Sequence, residues 1–209
     1  MKPRRYSVLK LIVLNLVFTA IYFACAKLGL GLATLNHNAS PVWPATGFAI
    51  AIVYIFGFKV LYSVAAGAFL ANFATNASLP VVIGITIGNT LEAYVAIRFI
   101  HWAYQYRTQF TYYTETISIV GSSIIGGMVS ATFGCASLYL GGSVSSESVG
   151  KVWLTWWIGD MIGGLTIVPL STHLPRIGRT LTGFLPIQFL IPLTTIVCYF
   201  VFVMPQGGS

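Results

Sequence analysis

Polar residues are sparse along this chain and gather in short clusters that separate long apolar runs. Seven runs stand out, over residues 8–28, 41–57, 58–76, 80–104, 116–142, 151 to about 173, and 185–204. Each lies near the ~20 residues a helix needs to cross a bilayer. The connections at 29–40, 105–115, 143–150 and 175–183 carry the Gly, Ser, Asn and basic residues, and Gly57 and Lys59 mark a tight turn between the second and third runs. This pattern predicts an all-α, polytopic integral membrane helix bundle over residues 1–204, with 205–209 as a terminal linker or truncation point. The competing reading of the first run is a signal peptide cleaved near Ala24-Cys25-Ala26. Its apolar stretch is longer than a typical signal core, which favours an uncleaved anchor.

Composition agrees with the pattern. The chain is 56% hydrophobic and 7% charged, where a soluble domain carries about 25% charged residues. The formal net charge of +7 raises nucleic acid as a partner, but the basic residues are scattered at span ends and read as topology signals. With the N-terminus cytoplasmic, Lys2, Arg4, Arg5, Lys10, Lys59, Arg98, Arg107, Arg176 and Arg179 lie inside, and only Lys27 and Lys151 lie outside. The opposite orientation would invert that bias. Seven spans would leave Ser209 outside, so an eighth span is expected if the domain addresses the cytoplasm. Cys25, Cys135 and Cys198 all fall in apolar runs without a CxxC pattern, and neither a disulfide nor a metal is expected of them.

The chemistry is concentrated in very few groups. The chain has four acids, Glu92, Glu115, Glu147 and Asp160, and two of them, Glu92 and Asp160, sit inside apolar runs. A carboxylate at the centre of a membrane helix costs about 2.5–3.5 kcal/mol on insertion scales and is retained where it faces a bundle interior or a cavity. Counted at ~1.5 Å per residue from the expected outer ends, Asp160 and Asn89 lie ~13 Å deep and Glu92 ~18 Å deep. Trp43, Thr46 and Asn72 fall near the outer ends of their spans.

Helical spacing sets Trp153, Trp156 or Trp157, Asp160 and Gly163 or Gly164 on one face, and Asn89 and Glu92 on another. Bland readings compete throughout. Asn72 and Asn89 serve as interhelical hydrogen-bond glue, Lys151 and Trp153 as interface anchors, and the GxxxG patterns at Gly84–Gly88 and Gly159–Gly163 as close-packing seams. The acids themselves could be protonated, hydrogen-bonded structural groups. No GxSxG, HExxH, P-loop or GxGxxG occurs, and His37, His101 and His173 have no metal-site spacing. Catalytic residues, metal ligands and cofactors are therefore not expected.

Five stretches follow one family's pattern in order: PVWPATGFAIA, GAFLANFATN, IGNTLEAYVA, SATFGCASLYLGG and WLTWWIGDMIGGLTIVPL. Together they resemble the membrane-associated sensor domain of the first type (the MASE family), over residues 29–170. Trp-Pro-x-Thr-Gly and Trp-x-x-Trp-Trp-x-Gly-Asp are the most specific elements. The resemblance implies an eight-helix sensory input module of a bacterial inner membrane. Such modules precede histidine kinase, diguanylate cyclase or cyclic-di-GMP phosphodiesterase modules. It matches Trp43, Pro44, Thr46 and Gly47 to the family's first motif, Asn72 to its third span, Asn89 and Glu92 to its fourth, and Trp156, Gly159, Asp160 and Pro169 to its sixth. The chain departs from the family in showing seven spans and no output module.

The expected function is detection of a small-molecule or membrane signal and control of a cytoplasmic output module, in cis or in trans, in the bacterial inner membrane. The candidate sensing residues are Trp43, Thr46, Asn72, Asn89, Glu92, Trp156 and Asp160. The lipid bilayer and a second copy of the chain are the other expected partners. The rival expectation is a small secondary transporter or channel using Glu92 and Asp160 as a proton or cation path. A third is a purely structural anchor for its effector.

Overall fold

The computed structural model describes residues 6–32, 40–105 and 111–173, and within these it contains helices and turns but no strand. The helices are α1 (Val8–Gly31), α2 (Pro44–Phe56), α3 (Leu61–Phe73), α4 (Leu79–Gln105), α5 (Thr111–Leu140) and α6 (Val149–His173), with one 3-10 turn over Phe58–Val60. They correspond to the first six apolar runs. The expected seventh run, 185–204, and the 205–209 tail lie outside the described residues. Helices α1, α4 and α5 are long and apolar enough to cross a membrane, while α2 and α3 are shorter apolar helices. The 105–115 stretch expected as a connection is in part helical, because α5 begins at Thr111.

Local chemistry accounts for the boundaries. The Ser7 hydroxyl accepts from the backbone N–H of Lys10 at 3.3 Å and caps α1. Pro44 opens α2, where its missing N–H costs nothing and its fixed φ is already helical. Gly57, at φ 83°, ends α2 in a conformation that L side chains avoid, and the 3-10 turn then delivers α3. The α2–α3 corner sits against α1, where the Asn15 amide donates to the Lys59 carbonyl at 3.4 Å and its carbonyl accepts from the Ser63 N–H at 3.1 Å. Phe58 packs edge-on to His101 of α4. Lys10, Lys59 and Arg98 therefore gather toward one end of the bundle.

Two apolar clusters form the core. One joins α1, α2, α3 and the C-terminal part of α4, with Tyr22, Trp43, Ile50, Val64 and Ile97 among its members. The other lies at the opposite end, where Val81 and Ile85 of α4, Leu138 of α5, and Val152 and Trp156 of α6 meet. The buried polar residues of the bundle centre lie between them. Helix α5 is joined to α4 and α6 by a stripe of small residues. A Cβ on Gly134 would strike the Trp156 ring, and one on Gly164 would strike the Ser123 hydroxyl. Closely packed small residues of this kind are what hold helices together where lipid removes the hydrophobic drive.

The entry into α2 departs from the expected layout. Instead of starting at the end of the bundle, α2 starts deep within it. Its preceding segment, Ser40–Trp43, is non-helical and lies alongside α6, and the Trp43 N–H donates to the Gly159 carbonyl at 3.0 Å. Gly159 is ~15 Å along α6 from Val149. The prolines at 41 and 44 hold Ser40 and Trp43 out of the helical region. Glycines make room: a Cβ on Gly159 would meet the Ser40 carbonyl oxygen, and one on Gly163 the Trp43 carbonyl oxygen. Non-helical backbone inside an apolar helix bundle is tolerated where, as here, it is buried in protein.

Candidate functional site

The deep start of α2 places Thr46, in its first turn, between the two acids of the apolar runs. The Thr46 Oγ1 lies 2.9 Å from Glu92 Oε2 of α4 and 2.8 Å from Asp160 Oδ1 of α6. All three side chains are buried, with exposures of 1% for Thr46, 2% for Glu92 and 0% for Asp160. Among the described residues the other carboxyl oxygens, Glu92 Oε1 and Asp160 Oδ2, have no hydrogen-bond partner. Thr46 therefore links α4 and α6 directly through a single hydroxyl.

The remaining sequence candidates divide into those at the site and one apart from it. The Asn89 amide nitrogen donates to the Ile85 carbonyl at 3.0 Å, while its oxygen accepts from the Ser130 hydroxyl at 3.5 Å. The Ser130 oxygen in turn accepts from the Trp156 indole N–H at 3.1 Å. Trp156, Ser130 and Asn89 thus form a polar line across α6, α5 and α4 beside the acid pair. Trp43 is buried against Gly29, and its indole N–H has no partner among the described residues. Asn72 stands apart. Its amide donates to the Ala68 carbonyl of its own helix at 2.9 Å, at the C-terminal end of α3.

Two contributors lay outside the sequence candidates. Tyr22 of α1 is buried within electrostatic reach of Glu92 and Asp160, and its ring fills the space beside Gly67. Ser130 of α5 is a polar neighbour of both carboxyls. Its signal was legible as the recurrence of small residues at Ser122/Ser123, Gly126/Gly127, Ser130/Ala131 and Gly134/Cys135. Tyr22 carries no such signal, since a tyrosine in an apolar span is ordinary. The neighbouring tryptophans of α6 are structural partners of α5: Trp153 donates to the Thr132 hydroxyl at 3.2 Å, and Trp157 to the Ile124 carbonyl at 3.0 Å.

Such a site defines a class: a helical membrane domain with two carboxyls buried at mid-bundle and bridged by a hydroxyl from a helix that starts there. The chain belongs to the MASE1 family, whose pattern matches residues 14–204. The match takes in all seven candidate residues and extends past the stretch in which the sequence motifs were found. No curated protein and no solved structure matches the chain.

Proposed function

We propose that this chain is an integral membrane sensory input domain that detects a periplasmic or membrane signal at the Thr46–Glu92–Asp160 site. The response passes to a cytoplasmic diguanylate cyclase, phosphodiesterase or histidine kinase module, and the domain spans the bacterial inner membrane with its N-terminus in the cytoplasm. Membership of the family supports the sensory class. The observation that carries the site is the three-helix junction, in which one hydroxyl joins carboxyls on two otherwise separated helices. A signal that binds the two arrangements of that junction differently would shift the helices and so the output. Gathering of Lys10, Lys59 and Arg98 at one end of the bundle supports the orientation. Asp160→Asn in the full-length output protein is the test. Altered basal or stimulated output at normal membrane level is expected, and unchanged output would remove Asp160 from the mechanism.

A second reading is favoured by one specific feature. A short helix beginning at mid-depth beside buried acids is also the geometry of discontinuous helices in secondary transporters. On that reading Glu92 and Asp160 form a proton or cation path. Flux into proteoliposomes decides between the two, because uptake driven by a pH gradient and lost in Glu92→Gln would establish transport.

A further inference from the structure

We propose that Glu92, Thr46 and Asp160 form a binding site for one proton, held between the two carboxyls and relayed by the threonine hydroxyl. The inference comes from counting hydrogens. The Thr46 oxygen stands at hydrogen-bond distance from a carboxyl oxygen on each side, 2.9 Å and 2.8 Å, yet a hydroxyl carries a single hydrogen and can donate once. With both acids ionised, one of the two contacts would press two lone pairs together in a dry interior. A proton on either carboxyl removes the conflict. That acid donates to Thr46, and Thr46 donates to the other carboxylate. Moving both hydrogens along the line, one from the acid to the threonine oxygen and one from the threonine to the carboxylate, exchanges the roles of Glu92 and Asp160 with no change in atoms or net charge.

The surroundings support a retained proton. Titratable neighbours of the pair among the described residues are Tyr22 of α1 and Cys135 of α5, both neutral in their ordinary forms. Among the described residues the groups that act on the two carboxyls are each other, Thr46, Ser130 and Trp156, and none of them is a lysine, arginine or histidine. The unpartnered oxygens Glu92 Oε1 and Asp160 Oδ2 point the same way, since an unpaired carbonyl oxygen of a neutral acid costs less to bury than one of a carboxylate. The hydrogen count stands whether or not the site receives the signal, so failure of the sensory reading would leave it intact.

Infrared spectroscopy of the whole chain in lipid nanodiscs tests this directly. At about pH 7 an ordinary carboxyl is ionised, so a protonated-carboxyl carbonyl band at that pH reports a retained proton. Asp160 is the chain's sole aspartate, and 13C-carboxyl aspartate therefore labels one side chain without mutation. The expected result is a band that shifts with deuterium and shifts with labelled aspartate, or with labelled glutamate and then vanishes in Glu92→Gln. Thr46→Ser should keep the band and Glu92→Gln/Asp160→Asn should lose it. Absence of any such band in the unmutated chain would overturn the proposal, as would a band that shifts only with labelled glutamate and survives Glu92→Gln.

Discussion

Replacing Thr46 by valine removes one oxygen from the middle of the bundle while preserving shape. The two carboxyls lose their common partner. Leaving a buried polar group without a hydrogen bond costs about 1–3 kcal/mol, and more when it is charged. The facing oxygens are held no more than about 6 Å apart through Thr46, so two full charges there would repel by about 3 kcal/mol at an effective dielectric of 20. Protonation of the pair avoids most of that repulsion, which leaves about 2–4 kcal/mol as the expected loss of stability. Thr46→Ser keeps the hydroxyl and forfeits one methyl group, a loss of about 1 kcal/mol. The assay is a denaturant titration in mixed micelles with a double-mutant cycle against Asp160→Asn and Glu92→Gln. Groups sharing a hydrogen bond show coupling of about 0.5–3 kcal/mol, whereas independent groups add to within about 0.5 kcal/mol. Additivity of Thr46→Val with both acid variants would refute the bridge.

Other substitutions probe the frame around the site. Gly163→Leu drives a side chain into the Trp43 carbonyl and should displace the start of α2, with loss of folded protein by fluorescence-detected chromatography. Gly150→Ala meets nothing within 4 Å and should be neutral or stabilising by up to about 1 kcal/mol. Trp156→Phe deletes the indole N–H that reaches Ser130 and leaves part of a buried ring's space empty, so it should cost about 2–4 kcal/mol in thermal unfolding, with Ser130→Ala costing less on that background than alone. Asn89→Ala should disturb regulated output in the full-length protein. Asn72→Ala, whose amide serves only its own helix turn among the described residues, should leave output unchanged and stability within about 1 kcal/mol.

The helices and the two acids were legible in the sequence for good physical reasons. Apolar runs near bilayer length are hard to place anywhere else, and an acid inside one of them is costly enough to demand an interior position. Facial spacing on α4 and α6 was also sound, since Glu92 and Asp160 are both buried. Depth was another matter. Counting from span ends assumes that every run begins at the membrane boundary, and that put Thr46 near a surface. The PVWP stretch was read as part of a span, although two prolines hold their preceding residues out of the helical region. Ser40–Trp43 instead lie beside Gly159 and Gly163 of α6 before α2 begins. The structure leaves α2 with 13 residues, too short to cross the bilayer at ~1.5 Å per residue, where the apolar run 41–57 had suggested a full span. Ser130 and Tyr22 were missed because their roles depend on which helices become neighbours.

Such an arrangement explains why small residues and acids occur together in the most specific motifs. Trp43, Pro44, Thr46 and Gly47 are meaningful only as a group: proline ends the non-helical segment, threonine occupies the first turn, and Gly47 lets that turn lie against α6, where its Cβ would strike the Gly163 carbonyl. On α6 the motif answers in kind, with Gly159 accepting from Trp43, Gly163 leaving room, and Asp160 between them reaching Thr46. The acid on α4 is then within reach of the same hydroxyl. If the junction shifts, α2 has little freedom to absorb the change locally, because its first turn is pinned to α6 and its far end is fixed at Gly57 against α1 and α3. Its movement would instead be passed along α6 toward Pro169, which lies within the helix one turn before its described end at His173. Interfaces packed on glycine have discrete arrangements rather than continuous ones. A change of one hydrogen bond at Thr46 is therefore of the right kind to be converted into a displacement of whole helices.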